Sequence, residues 1–232
     1  METHGWPAGA GRLSRFVREN GLSLAATLLF VLSMLGQGLC GLRVANQEAR
    51  AHREPTMGLV SYLASGDFIE AVFENWESEF LQMALFVLLT KFLRQKGSSE
   101  SKKLHRKEAV DQDPREARGP DAPWPVRRGG WVLALYERSL FLSLMLLFAL
   151  SFVLHAVGGA SKYNEEQLRH GGTTLSVPEY FATSSFWFES FQNWQSEFLS
   201  VASLVLLSIV LRERGSPQSK PVAAPHSETG GS

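Results

Sequence analysis

Two long stretches without Lys, Arg, Asp or Glu constrain this chain more than any other feature of its sequence. They are residues 22–42 and residues 140–160, and each has 21 residues. At ~1.5 Å per residue, a helix of that length is roughly 30 Å long, which is the thickness of the hydrocarbon core of a bilayer. We therefore predict two transmembrane helices, about residues 20–43 and 134–160.

Two shorter apolar runs follow, one after each long stretch. The apolar part of the first, residues 80–93, contains Lys91 near its end, covers only about 21 Å and is too short to cross a bilayer core. Extending it back to Trp76 gives about 27 Å, so we predict transmembrane helices at about residues 76–95 and, in the equivalent position, 194–212. The pattern Asp67-x-x-Glu70 has the form of a capping box and predicts a helix start at Asp67.

The two halves of the chain align without a gap. At a constant offset of 118, residues 19–102 match residues 137–220 with 33 identities in 84 positions. The polar loops match as well as the apolar runs, so shared composition does not explain the identities. The predicted fold is an all-α, polytopic membrane protein with four transmembrane helices arranged as two tandem parallel repeats (2+2), residues 16–96 and 131–214.

Three segments outside the repeats are rich in polar residues, Gly and Pro. Residues 1–15, 97–130 and 215–232 are predicted to be a disordered N-terminus, linker and C-terminal tail. Only five of the 23 Lys and Arg residues lie in the loops 43–79 and 161–197. The positive-inside rule then places both termini and the linker in the cytoplasm. A basic run in the linker, residues 102–107, suits contact with anionic lipid headgroups.

A repeated motif, Asn-Trp-x-Ser-Glu-Phe-Leu, begins the second and fourth predicted spans. On a helix, its polar residues and those one turn later form one stripe in each repeat, which is the candidate polar site: Asn75, Ser78, Glu79, Gln82, Asn193, Ser196, Glu197 and Ser200. A charge facing lipid at depth costs about 2.5 kcal/mol or more, so we expect the stripe to face the bundle or a water-filled cavity. Because Glu77 aligns with Gln195, the carboxylate that both copies keep is Glu79/Glu197.

Two interpretations of this stripe stay open. It forms a pseudo-symmetric site for a cation, for protons or for a polar headgroup, or it holds the helices together by hydrogen bonds. Gln37 and His155 are secondary candidates, because they occupy the same buried polar position in the two repeats. His155 serves there either in a proton relay or as a hydrogen-bonded packing residue.

Other classes of site find little support in the sequence. The glycines at 36, 38 and 41 match the spacing of a dinucleotide-binding turn, but they lie inside an apolar helix, so no cofactor is predicted. The single cysteine and the histidines do not have the spacing of a structural zinc site, and no metal is predicted. A net charge of zero gives no argument for nucleic acid. No nucleophile with a base within reach is evident, so we expect no catalytic residues and no enzyme activity.

Three segments of the chain carry a resemblance to a known family: Arg18-Glu19-Asn20-Gly21-Leu22-Ser23-Leu24, Gly36-Gln37 and Asn75-Trp76-Glu77-Ser78-Glu79-Phe80-Leu81-Gln82. They resemble a bacterial family of small integral membrane proteins known as domain of unknown function 6766. The resemblance implies four helices and the bacterial cytoplasmic (inner) membrane, and it brings no activity. We expect a structural or interaction membrane protein, embedded in the lipid bilayer and associating with a second copy of itself or another membrane protein. A small channel or transporter using Glu79 and Glu197 is the alternative.

Overall fold

The computed structural model describes residues 11–117 and 119–230, and no strand occurs among them. Nine α-helices follow one another in this part of the chain: α1 (Arg12–Glu19), α2 (Gly21–Ala51), α3 (Leu59–Leu63), α4 (Gly66–Phe92), α5 (Trp124–Arg128), α6 (Gly130–Tyr136), α7 (Ser139–Arg169), α8 (Val177–Phe181) and α9 (Ser184–Val210). One 3-10 turn, Ala109–Asp111, lies in the linker. The prediction of disorder for residues 1–10 lies outside the described residues, and α1 already begins at Arg12.

Within this part of the chain, three helices are long and apolar enough to cross a membrane, namely α2, α7 and α9. Many of their leucine and phenylalanine side chains are exposed on the isolated chain, which fits a membrane protein. Helix α4 is as long as α9, but three charged residues, Glu77, Glu79 and Lys91, lie in its more apolar portion. Helix α4 therefore differs from α9 in charge and not in length.

Helices α4 and α9 begin earlier than the spans predicted from hydropathy. Helix α4 begins at Gly66, one residue before the predicted start at Asp67. The cap is Ser65, whose Oγ accepts a hydrogen bond from the backbone N–H of Phe68 at 3.3 Å. Thr183 does the same for α9, where its side chain accepts from the N–H of Phe186.

The first compact unit of the chain comprises Met1–Phe68. Its α2 packs against α3, and Gly41 lies so close to the buried Tyr62 that an added Cβ would overlap the phenol ring. After α2, the side chain of Asn46 closes the loop, because its Nδ2 donates to the carbonyl of Met57 at 3.0 Å and its Oδ1 accepts from the N–H of Met57 at 2.7 Å. These contacts fix α3 beside α2.

The second compact unit comprises Ile69–Ser232, so the division falls inside α4. The core of this unit is formed by Ala156, Ala160, Tyr180 and Phe186, on α7, α8 and α9. Gly159 lies against the ring of Tyr180, and Asn164 holds both the N–H and the carbonyl of Leu175, at 2.7 and 2.8 Å. Helix α8 is thereby fixed beside α7.

The linker and the tail, both predicted to be disordered, contact each other within the second unit. The N–H of Gly97 donates to Thr229 Oγ1 at 2.8 Å, and the N–H of Gly230 donates to the carbonyl of Ser98 at 3.0 Å. The hydroxyls of Ser98 and Ser208 are 2.8 Å apart, which joins the linker to the last turns of α9. The prediction of disorder for these segments remains to be tested in solution.

Candidate functional site

A buried histidine between two carboxylates is the centre of the candidate site. His155 lies on α7 and is fully buried, with its Nδ1 2.9 Å from Glu77 Oε2 on α4. Its Nε2 is 3.4 Å from Glu189 Oε2 on α9. The side chain of Glu77 is also fully buried, and that of Glu189 is 27% exposed. Three helices therefore bring ionisable groups together at one point of the second unit.

Further hydrogen bonds fix the two carboxylates. The indole Nε1 of Trp194 donates to Glu77 Oε1 at 3.2 Å, and the hydroxyl of Tyr180 donates to Glu189 Oε2 at 3.0 Å. Burial, and then the nearby charge of Glu189, raises the pKa of the Tyr180 hydroxyl, so this group stays a donor at neutral pH. We call the five residues His155, Glu77, Glu189, Tyr180 and Trp194 the His155 cluster.

Aromatic rings surround the His155 cluster. The imidazole packs on Phe186 with ring centroids 4.7 Å apart, and Phe152 contacts both Phe186 and Trp194. Such rings exclude water, which strengthens the electrostatic interactions among the charged groups they cover. The cluster is thus a hydrogen-bonded group covered by aromatic rings, with only Glu189 partly exposed, and not an open cleft.

The proton content of the cluster follows from its geometry. Each nitrogen–oxygen contact of His155 requires one proton between its two atoms. Either an imidazolium donates to two carboxylates, or a neutral ring donates to one carboxylate and accepts from the other in its protonated form. Both arrangements hold two protons and carry a net charge of −1. A third proton neutralises the cluster, so it has the chemistry of a proton acceptor.

An acidic row on α4 leads from the cluster toward the start of that helix. Glu70, Glu74 and Glu77 are spaced at i, i+4 and i+7, which places them on one face. Glu70 is buried and forms an ion pair with Lys162, two turns beyond His155 on α7. Glu74 lies between the two pairs, within electrostatic reach of both His155 and Lys162. The row joins the cluster to a partly exposed lysine.

Close helix contact makes this arrangement possible. Gly158 of α7 lies directly against the backbone of Glu70 and 2.9 Å, measured from an ideal Cβ, from the side chain of Ile69. A larger residue at this point would separate α7 from α4. The glycine is therefore a positioning residue for the contact between His155 and Glu77, one turn away.

The sequence-predicted stripe lies elsewhere on the same helices. Five residues of the stripe donate hydrogen bonds to carbonyl oxygens of their own helices, at 2.7 to 3.2 Å: Asn75, Ser78, Asn193, Ser196 and Ser200. Glu79 is exposed, whereas Gln82 and Glu197 are half-buried, and Glu79 lies within electrostatic reach of Glu197. Of the secondary candidates, His155 is the centre of the cluster, and Gln37 is half-buried on α2 in the first unit.

Sequence comparison between the two halves missed the two carboxylates of the His155 cluster and the nearby Lys162. Glu77 aligns with Gln195, Glu189 with Ala71 and Lys162 with Val44, so a search for residues kept in both copies discards them. One signal was available, because a histidine inside a 21-residue uncharged stretch requires a polar partner. Among the described residues, no group of three or more His, Cys, Asp or Glu side chains is placed to hold a metal ion.

In the part of the chain that the structure describes, the protein is all-helical, with three helices able to cross a membrane and a buried histidine–carboxylate cluster among its long helices. The chain belongs to the family described as Domain of unknown function (DUF6766), whose family model matches residues 13–231. No curated protein and no solved structure matches the chain.

Proposed function

We propose that this protein is a small proton channel or proton-linked transporter in which the His155 cluster takes up and releases the proton. The observation that carries the proposal is the position of His155, fully buried on a candidate membrane span between Glu77 and Glu189. Ionisable residues inside a membrane are expensive and mark ion pathways and proton relays. The proposal moves the site from the Glu79/Glu197 stripe to Glu77, which lies about 200° around α4 from Glu79, and to His155 on α7 and Glu189 on α9.

The proposed architecture has four spans in two tandem repeats. Its support is the constant offset of 118 between corresponding helices, α2 with α7, α3 with α8 and α4 with α9, at both ends of each helix. Helix α4, as the second span, is about 40 Å long. Because Glu77 pairs with His155, its carboxylate does not face the lipid. The positive-inside rule supports termini in the cytoplasm of a bacterium, with the chain in its inner membrane.

In this orientation, protons reach the cluster from the outer face. His155 lies about 22 Å along α7 from Leu140, at which the predicted apolar stretch begins on the cytoplasmic side. The pair Lys162–Glu70 lies two turns further out, and Lys162 is 47% exposed. Glu74 lies between this pair and His155, so carboxyl groups along α4 provide successive proton acceptors toward Glu77.

A structural or interaction role is the second candidate. The hydrogen bonds of the His155 cluster join α4, α7 and α9, and interhelical polar contacts stabilise membrane bundles by about 0.6–2 kcal/mol each. In this interpretation the exposed Glu79 and its neighbours contact a second copy of the chain or another membrane protein, because a carboxylate facing lipid is costly. The proton is then fixed and is not exchanged.

Proton flux separates the two roles. The purified protein is reconstituted in liposomes that contain a pH-sensitive dye, and a pH step is applied with a potassium–valinomycin clamp. We expect flux above empty liposomes for the wild type, loss of flux for His155→Gln and retention for His170→Gln. The control, His170, is exposed and caps the same helix, so it receives the same substitution without touching the cluster.

Two additional outcomes decide the matter. If the wild type shows no flux at any pH or ionic composition tested, transport is excluded and the structural role stands. If Glu79→Gln with Glu197→Gln abolishes flux while His155→Gln does not, the path follows the sequence-predicted stripe. Far-UV circular dichroism and gel filtration of each variant separate loss of conduction from loss of folding, and Glu189→Gln tests the cluster through its more exposed carboxylate.

A further inference from the structure

A basic cavity in the linker has no part in the proposed proton site. It has a volume of about 300 Å³ and is lined by Lys103, Leu104, His105, Arg106, Glu228 and Thr229. This is roughly ten times the ~30 Å³ that one water molecule takes in the liquid. The cavity therefore has room for a phosphate group together with the atoms attached to it.

Two acids of the linker that lie close to the basic residues in sequence, Asp111 and Glu108, bind groups outside the cavity lining or a backbone N–H. Lys102 forms an ion pair with Asp111, and this pairing lowers the pKa of the Asp111 carboxyl. Glu108 accepts a hydrogen bond from the backbone N–H of Lys103 at 2.7 Å and takes part in the cap of the 3-10 turn. Among the described residues, no ion pair engages the side chains of Lys103 and Arg106. Glu228 is the one acid in the lining.

The cavity is fixed next to the end of a candidate membrane span. Thr229, one of its lining residues, accepts a hydrogen bond from the N–H of Gly97, and the neighbouring Ser98 and Ser99 both contact Ser208 of α9, at 2.8 and 3.3 Å. Ser208 is two residues before the end of that helix at Val210. In a membrane, the end of α9 lies at the depth of the lipid headgroups.

We propose that this cavity binds the phosphate group of an anionic ligand at the membrane surface. A guanidinium and an ammonium on one short segment are the groups that recognise phosphate, since arginine binds it in bidentate fashion and lysine as a point charge. The same chemistry is supplied by the phosphodiester of an anionic lipid and by free phosphate. The proposal is independent of the proton site.

The experiment uses the full-length protein in nanodiscs of phosphatidylcholine with increasing fractions of phosphatidylglycerol. Native mass spectrometry counts the phosphatidylglycerol retained by each chain. Lys103→Gln is compared with Lys102→Gln, because the two residues are adjacent, lose the same charge and differ in that only Lys102 is paired with Asp111. We expect a roughly fivefold loss of affinity for Lys103→Gln and less than twofold for Lys102→Gln, since a basic residue near an anionic surface contributes about 1 kcal/mol.

A third variant tests the sign of the ligand's charge. Glu228→Gln removes the acid from the lining and is expected to increase phosphatidylglycerol retention, whereas a cation site would be weakened by it. Phosphorus NMR of inorganic phosphate, added to protein in pure phosphatidylcholine nanodiscs, separates the two sources of phosphate. If the wild type broadens the phosphate line and Lys103→Gln does not, the site binds phosphate in general. If the wild type retains phosphatidylglycerol but does not broaden the phosphate line, the site is assigned to the lipid. Equal losses for Lys102→Gln and Lys103→Gln, or no binding in either arm, overturn the proposal.

Discussion

Removing one buried carboxylate tests whether the His155 cluster is the chief polar contact of the second unit. In Glu77→Ala, the imidazole of His155 loses its partner at 2.9 Å and the indole of Trp194 loses its acceptor at 3.2 Å. Glu79→Ala is the matched control, because Glu79 lies two residues further along the same helix and is exposed. Both variants lose the same atoms and the same charge.

The structure sets the size of the expected difference. Breaking a buried ion pair costs about 3–5 kcal/mol, because the remaining group is left buried without a partner, and an unsatisfied buried donor such as the Trp194 N–H costs about 1–3 kcal/mol. The two effects overlap, so we expect about 4 kcal/mol for Glu77→Ala. For Glu79→Ala we expect less than about 1 kcal/mol, as for other exposed charges.

Thermal unfolding in detergent micelles measures the difference. For a chain of this length, 1 kcal/mol shifts the midpoint by about 2–4 °C, so Glu77→Ala should unfold roughly 8–16 °C below the wild type. Glu77→Gln should recover part of this loss, since its amide oxygen still accepts from Trp194 and its amide group donates to a neutral His155. Equal midpoints for Glu77→Ala and Glu79→Ala would refute the assignment of Glu77 to a buried, paired position.

Two other predictions follow from the contacts around the cluster. Gly158→Ala places a methyl group against Ile69, so it should lower stability by about 1–3 kcal/mol and also reduce proton flux. Gly36→Ala, at a helical position with nothing within 4 Å, should be neutral or slightly stabilising. The unfolding midpoints of the two variants check this prediction. Hydrogen bonds from the Ser176 hydroxyl and N–H lower the pKa of Glu179 below 4.5, so its contribution to stability is present above that pH and disappears as the pH falls through the folded-state pKa. Glu179→Gln should therefore differ from the wild type near neutral pH and converge with it in acid, and parallel pH–stability curves would contradict this.

Hydropathy and charge predicted the long helices because a helix that crosses lipid needs a minimum number of consecutive apolar residues, and that number can be counted in the sequence. The predicted span at residues 20–43 overlaps α2, and that at 194–212 overlaps α9. The loops were harder to predict, because Asn46 and Asn164 each hydrogen-bond to a residue eleven positions further along the chain, and no short motif records such a contact. The partners of His155 in the candidate site were missed for a different reason. The members of the site lie on three helices, and the contact between Glu77 and His155 spans 78 residues.

The two halves differ in a way that separates scaffold from chemistry. Several residues that are identical in both copies make the same local contacts: Asn46 and Asn164 close their loops, and Gly41 and Gly159 admit Tyr62 and Tyr180. The charged residues of the site have no such counterparts, since the position of His155 holds Gln37 in the first half and that of Glu189 holds Ala71. The two tyrosines are kept in both halves, and each hydroxyl donates to an acid, but the acid differs: it is Asp67 in one unit and Glu189 in the other.

A duplicated scaffold needs the same packing residues twice, because each α-helical pair must hold its own short helix in place. A single proton site needs its histidine only once. In the proposed repeat architecture, the identities between the halves therefore indicate what builds the fold, and the buried ionisable residues without a counterpart indicate where the chemistry lies. By this reasoning Glu79 and Glu197, kept in both halves, are candidates for a contact that both repeats make, whereas the proposed proton-binding role falls to the asymmetric pair of His155 and Glu77.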